Sequence, residues 1–393
     1  MNITWQLQGF DRTEFIQHYW QKKPCLIRQA IPNLRSPISP QELAGLACED
    51  EVHSRLLIEK DAETPWQLSY GPFQEDVFAA LPKTHYSLLV SECDKWIPEL
   101  GNLLAQFQFI PGWRIDDLMV SYASPGGSVG PHSDEYDVFL LQAEGRRKWQ
   151  YTNDRVDNPA LIPDLDLAIM QNFNGDQEAI LSPGDLLYLP PGIAHHGVAV
   201  GACLTFSIGF RAPTAIEILE SFALEVGRQN SASIRYADPD LETNRHFAEI
   251  TQKEIDRFRA MVLSLMDQPE GLWTDSVGRL LSDSPVGSPV DSPVDSEDLD
   301  NPPARQQGLF KNNWMTNPES RMLYHRGDSD LRFYCNGRAY KLPNSDPVIE
   351  VIQNLCESRY LSAESLDACR EQKALIEMLF DLEKTGALIP AEK

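Results

Sequence analysis

Two stretches far apart in the chain carry side chains that ligate metals. VGPHSDEYDV (residues 129–138) sets His132 two residues before Asp134, and GDLLYLPPGIAHHGV (184–198) brings up His195 and His196 behind a double proline. On an extended strand, residues two apart face the same side, so His132 and Asp134 point together. One further histidine completes a facial triad of two imidazoles and one carboxylate. That donor set leaves open positions on a non-haem iron(II) ion. H-x-D alone is a weak signal, and by itself it most commonly reads as a surface turn with a helper aspartate. Its flanks, PGGSVGP before and GD-x-L-Y-x-P-P-G-x-x-H after, make metal binding the expectation, because the two prolines fix a rigid entry to the last histidines. A strand turns only one of His195 and His196 inward, and parity does not choose between them. His18, His53, His85, His246 and His325 have no ligand spacing.

A second chemistry-bearing residue follows in RRKWQYT. With Trp149 and Tyr151 inside, alternation puts Arg147 on the same face and Arg146, Lys148 and Gln150 outside. A guanidinium keeps its charge and needs an anion once buried. That anion is either an acidic side chain in a structural ion pair or the distal carboxylate of 2-oxoglutarate, a two-point match to the guanidinium. In CLTFSIGF, alternation separates Thr205 and Ser207 from Leu204, Phe206 and Ile208, so the hydroxyls line the pocket. In DDLMVSYA, Asp117, Met119 and Ser121 share a face, and Tyr136 has the parity of His132 and Asp134. A carboxylate that the metal does not need suits a cationic substrate side chain, although a solvated strand start accounts for Asp117 as well.

The elements that must hold these residues are strands. DDLMVSYA, YDVFLLQA, RKWQYT, EAILSPGDLLYLPPG and CLTFSIGF recur between Gly/Pro turns across residues 116–210, the pattern of a β-sandwich or barrel. Upstream, TEFIQHYWQKKPCLIR reads as a helix stopped by Pro24 and then a strand. After Pro213 the period changes. PTAIEILESFALEVGRQ and TQKEIDRFRAMVLSLMDQ space Ile216, Leu219, Phe222 and Ala223, then Ile255, Phe258, Val262 and Leu265, as amphipathic helices whose apolar faces need a partner. The repeat SPVGSPVDSPVD is too poor in core residues to fold and reads as a linker. Beyond it, LRFYCNGRAYKL is a hairpin around Asn336-Gly337, followed by helical runs such as REQKALIEMLFDLEKTG, a small α+β domain of winged-helix type.

Composition narrows the partners. The 393 residues allow two or three domains, and a net charge of −24 disfavours general affinity for nucleic acid or anionic membrane while favouring a basic partner. In the last block acidic and basic residues nearly balance, which disfavours a DNA-reading wing. Seven dispersed cysteines without a C-x-x-C pair read as reduced thiols of the cytoplasm, and the sequence has neither a signal-like start nor a membrane-length apolar run.

DLMVSYASPGGSVGPHSDEYDVFLLQAEGRRKW, LSPGDLLYLPPGIAHHG and FSIGFRAP together resemble the Jumonji-C-type ribosomal oxygenases, and among them the bacterial arginine hydroxylases of large-subunit ribosomal protein sixteen. The resemblance covers most of the chain. It implies a mainly β fold with α: a double-stranded β-helix (cupin/Jumonji-C) domain at 1–212, a helical dimerisation domain at 213–280 and a winged-helix-like α+β domain at 308–393, with the flexible acidic Ser/Pro/Val linker read from composition at 281–307 between the last two. It further implies iron(II), 2-oxoglutarate and O2, a homodimer, and a basic ribosomal protein as substrate. By its motif the metal ligands are His132, Asp134 and His195, with His196 as a neighbour. Arg147 grips 2-oxoglutarate with Ser121 and Thr205 beside it, and Asp117, Tyr136 and Ser207 hold the substrate arginine. The SPVGSPVDSPVD insertion and a threonine at 205, where asparagine is expected, depart from the pattern without touching the metal. The competing expectations are an oxygenase acting on another protein residue, as hydroxylase or demethylase, and a non-catalytic cupin interaction module.

Overall fold

Short alternating runs broken by Gly and Pro become antiparallel strands in the computed structural model, which describes residues 5–59, 66–163, 165–229, 235–241, 246, 248–283 and 308–391. The chain divides into two units, Met1–Ala212 and Pro213–Lys393. The first contains strands β1 (Cys25–Ile27), β2 (Ser54–Glu59), β3 (Trp66–Tyr70), β4 (Tyr86–Val90), β5 (Ile115–Ala123), β6 (Asp137–Glu144), β7 (Arg147–Arg155), β8 (Gln177–Leu181), β9 (Leu186–Leu189), β10 (Ile193–Ala199) and β11 (Cys203–Phe210). Eight form one sheet in the order β1-β9-β6-β11-β5-β4-β2-β3, and β10-β7-β8 form a second.

Strand parity builds the two layers. Leu118, Val120, Phe139, Leu141, Leu204, Phe206, Ile208 and Phe210 leave the large sheet on one face and pack with Phe15 of helix α1 (Arg12–His18), Leu43 of α2 (Pro40–Leu46), Leu100 of α5 (Pro98–Leu104) and Phe107. The shorter α3 (Glu75–Ala79) and α4 (Cys93–Trp96) precede α5. The alternate residues Val138, Leu140, Leu187 and Leu189 face the small sheet, where they meet Trp149, Tyr151, Ala179, Leu181 and Ile193. Each fully buried side chain of this size stabilises the fold by ~1.5–3 kcal/mol. This is a double-stranded β-helix, and the space between the sheets is the pocket. Two details differ from the sequence reading. Helix α1 ends at His18, well before Pro24: Tyr19 already leaves helical angles (φ −121°), and Gln21 beyond it takes a left-handed backbone (φ 55°). EAILSPGDLLYLPPG splits at its Pro183-Gly184 turn (φ 90° at Gly184), so β8 joins the small sheet and β9 the large one.

Asp137, at the start of β6, is fully buried and bound on both oxygens. Arg114 pairs with it at 2.9 Å, Gln21 Nε2 donates at 2.9 Å and the Tyr188 hydroxyl donates at 2.5 Å.

In the second unit, α6 (Ala215–Arg228) and α7 (Gln252–Met266) both begin with capping boxes, Thr214/Glu217 and Thr251/Glu254. The partner of α6 is α8 (Glu270–Ser282), with Phe222 stacked on Trp273 at 3.9 Å. Helix α8 also packs on the sheet β13-β14-β15 (Met322–Arg326, Asp330–Cys335, Arg338–Pro343), where Asp275 binds Arg332 and Tyr334. The helical and C-terminal blocks, read separately from sequence, are therefore one unit joined through α8, which runs past residue 280. The hairpin turns at Asn336-Gly337, both left-handed (φ 47° and 73°), as its dipeptide predicts. A further sheet, β16-β12-β17 (Tyr360–Leu361, Trp314–Thr316, Leu388–Pro390), and helices α9 (Asp346–Gln353), α10 (Ala363–Asp367) and α11 (Lys373–Lys384) complete it. Residues 284–307, most of the expected linker with its Ser-Pro-Val repeat, lie outside the described residues.

Candidate functional site

His132, Asp134 and His195 converge, their ligand atoms all within 4.8 Å of one another. The backbone sets this up. His132 N–H donates to the His195 carbonyl at 3.0 Å and His195 N–H to the His132 carbonyl at 2.8 Å, so the two histidines are a reciprocally bonded pair with ring centroids 4.3 Å apart. Gly192, the glycine of the Pro-Pro-Gly turn, donates to the Asp134 carbonyl at 2.7 Å. Parity reasoning put the first two candidate ligands on a strand; the structure does not. His132 stands on an isolated bridge to His195 and Asp134 in irregular chain ahead of β6, and the cross-chain bonds do the aiming.

Each imidazole is oriented in the same way. His132 Nδ1 lies 3.0 Å from the Gly130 carbonyl and His195 Nδ1 lies 2.9 Å from the Ile193 carbonyl. A carbonyl only accepts, so both Nδ1 atoms carry the proton and both Nε2 lone pairs face the centre. Asp134 offers Oδ1 at 3.9 Å from His132 Nε2 and Oδ2 at 3.6 Å from His195 Nε2. Burial, then the neighbouring His132, push the His195 imidazole down to about 4, which keeps its lone pair free. His196 turns the other way, edge to face with Phe173, and its imidazole is lowered by burial and by His132.

Arg147 is 4% exposed. Its Nη1 reaches Ser121 Oγ at 3.4 Å, while Nε and Nη2 are buried without any hydrogen-bond partner. Its guanidinium lies over Trp149, 5.6 Å from the ring centroid, and no carboxylate pairs with it among the described residues. The structural ion pair is thus absent there, and the charge awaits an anion. Thr205, fully buried, donates to Gln142 Oε1 at 3.3 Å, and Ser121 Oγ donates to the Thr205 carbonyl at 3.3 Å. Gln142 is a pocket residue that sequence reasoning missed. Its parity with Leu140 was the available signal: an amide inside an apolar run must bond, here to the Glu144 and Leu204 carbonyls.

Asp117 is not a solvated strand start. Its Oδ2 accepts from Glu92 N–H at 3.3 Å, and burial, then Asp116, raise its carboxyl to about 7. Tyr136 is 43% exposed, yet desolvation and then the Asp134 and Asp117 carboxylates push its phenol up. Ser207 lies half-buried on the pocket face of β11, opposite Met119 and Leu140. Arg55 was also missed; its Nη2 lies 3.8 Å from Met119 Sδ beside these residues.

The donor set and the orphaned guanidinium fit a metal with 2-oxoglutarate. Arg147 is four residues along the β7–β10 ladder from Tyr151, the partner of His195. At ~3.3 Å per residue this is roughly 13 Å of backbone, a gap that the arginine stem and a five-carbon dicarboxylate span together.

Known proteins carry the same features. Residues 102–218 match the JmjC domain and residues 256–389 the ROXA-like winged helix. The chain is 41% identical to the ribosomal protein uL16 3-hydroxylase of Escherichia coli over 257 residues, 65% of this chain and 68% of that one. It is 30% identical to a probable ribosomal oxygenase of Haemophilus influenzae over 367 residues, 90% of this chain and 86% of that one. The structure of YcfD, a ribosomal oxygenase from E. coli, in complex with cobalt and 2-oxoglutarate superposes with a TM-score of 0.81 at 33% identity, covering 99% of this chain and 100% of that one. Its fold, its two matched domains and its identity along most of both relatives place the chain in the family of JmjC-domain ribosomal oxygenases.

Proposed function

We propose that this protein hydroxylates an arginine side chain of ribosomal protein uL16, with iron(II) and 2-oxoglutarate. The observation that carries the co-substrate is Arg147, a buried cation with two unpartnered guanidinium nitrogens on the sheet face that leads to the three candidate metal ligands. His132, Asp134 and His195 would hold the iron, and Arg147, with Ser121 and Thr205, the distal carboxylate of 2-oxoglutarate. When bound, the pair supplies an oxidation by O2 in which one oxygen atom enters a substrate C–H bond and the other ends in succinate, with release of CO2. The chain's own part is positioning. The Nδ1–H bonds lock both imidazoles, the apolar walls Trp149, Leu140 and Leu187 exclude water, and Arg147 orients the keto acid. Arginine as the target rests on Asp117, Tyr136 and Ser207, a carboxylate, a phenol and a hydroxyl beside the metal ligands. The uL16 target rests on the name of the E. coli relative.

The test is mass spectrometry of a uL16 peptide incubated with the protein, iron(II) and 2-oxoglutarate. One added oxygen on arginine is expected, and oxidation of a different residue would move the reading to another substrate. Arg147→Ala should raise the 2-oxoglutarate KM at least ~30-fold, as loss of one partner of a buried charge pair does, with iron affinity retained. An unchanged KM would return Arg147 to a structural role.

Two partner assignments belong to the same reading. We place the enzyme in the cytoplasm with its ribosomal substrate, without sequence-specific binding of nucleic acid; among the described residues no helix is long and apolar enough to cross a membrane. It acts as a homodimer, for which the support is the exposed apolar face of each of α6 and α7. Ile216, Leu219, Ile255, Phe258, Val262 and Leu263 are all exposed, and α7 buries no residue.

A further inference from the structure

Gly209 sits in β11, one of the central strands of the large sheet, where a glycine weakens pairing and contributes no packing. Among the described residues no backbone angle or close contact calls for it. Its backbone is outside the left-handed region, and an added Cβ would make ordinary contacts only: 3.4 Å to Asp117 Oδ1, 3.7 Å to Tyr136 Cε2 and 3.9 Å to Asp116 Cβ. Gly197 in β10 is the contrast, since a Cβ there would lie 2.7 Å from the Trp149 ring. Strand parity turns Gly209 into the pocket. Its neighbours Ile208 and Phe210 both belong to the core on the opposite face, while Thr205 and Ser207 share its side.

The strand beside it is adjusted at the same level. Ile208 pairs with Leu118 and Phe210 with Ile115, so two residues of β5, Asp116 and Asp117, stand opposite the single Gly209. Such a bulge re-aims a side chain. Here it leaves Asp116 exposed and turns Asp117 inward, with Oδ2 held by Glu92 N–H and Oδ1 facing the glycine.

We infer that Gly209 is a specificity-determining residue: the side chain it lacks keeps open a flat slot between the Asp117 carboxylate and the Tyr136 ring that admits a planar guanidinium. A guanidinium stacks on an aromatic ring and pairs with a carboxylate in its own plane, whereas a compact ammonium has no plane to insert. A methyl group at 209 touches both walls at once and fills the slot. The inference rests on the arginine-hydroxylase reading and adds what makes the site choose arginine.

The test compares wild-type holoenzyme with Gly209→Ala and Gly209→Val, using a single-arginine peptide and its lysine counterpart. Wild type should bind the arginine peptide more tightly. Gly209→Ala should raise the KM for that peptide about 10–200-fold, the range of one methylene in a fitted pocket, with a smaller effect on kcat. Gly209→Val should raise it further, and lysine-peptide affinity should change less than about twofold in both variants on the same argument. The 2-oxoglutarate KM and the melting temperature report that the rest of the pocket stays intact. If Gly209→Ala keeps the wild-type KM, the slot is refuted and the arginine reading survives. If wild type binds both peptides equally, the arginine reading fails and the slot falls with it.

Discussion

Asp117 is a carboxyl group whose surroundings oppose its charge: burial, then Asp116, with Asp94 and Glu92 adding to it, hold its proton up to about 7. An unfolded aspartate titrates near ~3.9. Between these values the folded chain keeps a proton that the unfolded chain releases, so this group's contribution to stability falls as pH rises from ~4 to ~7. Asparagine cannot ionise. Asp117→Asn should therefore match wild type in urea unfolding at pH 4 and exceed it by roughly 1–3 kcal/mol at pH 8, each tenfold in proton affinity being worth ~1.4 kcal/mol. The same variant should lose affinity for a cationic peptide. A carboxylate that is costly to the fold and useful to the substrate has this signature; if Asp117→Asn is the less stable protein at pH 8, the assignment is wrong.

At the scale of elements, what holds the site is the entry to β6. Asp137 joins Arg114, Gln21 and Tyr188 three residues after the candidate ligand Asp134, so Asp137→Ala leaves a buried guanidinium without its carboxylate partner. The expected loss is about 3–5 kcal/mol, read as a lower urea midpoint. A midpoint equal to that of wild type would show that Arg114 finds another anion. The same elements show how far the sequence could be read. Arg147 was legible because β7 is a regular strand, where Trp149 and Tyr151 fix its parity. His132 and Asp134 were legible as a pair, but for a different physical reason than strand alternation: their orientation depends on hydrogen bonds to His195 and Gly192, residues remote in the chain. Arg114 and Asp137 are not near one another in sequence, and the β5 bulge exists only in the register between β5 and β11. No local pattern carries such information. In the second unit, periodicity identified α6 and α7, yet the partner of α6 proved to be α8, a choice that tertiary packing makes.

For the whole molecule, charge and exposed apolar surface bear on the proposed partners. The net charge of −24 favours encounter with a basic ribosomal protein, an attraction that added salt weakens. The apolar face of α7 leaves Val262 and Leu263 55% and 56% exposed, so Val262→Glu with Leu263→Glu should convert a sedimenting dimer to monomer at micromolar concentration. If wild type itself sediments as a monomer, that face serves another partner. The reciprocal hydrogen bonds between His132 and His195 bear on the handling of the ion. The rings themselves are held by main-chain carbonyls, His132 Nδ1 by Gly130 and His195 Nδ1 by Ile193, so on the proposed reading both imidazoles should keep their orientation with or without an ion. Loading would then require no refolding of the chain, and one polypeptide should accept ions of differing redox character in the same frame.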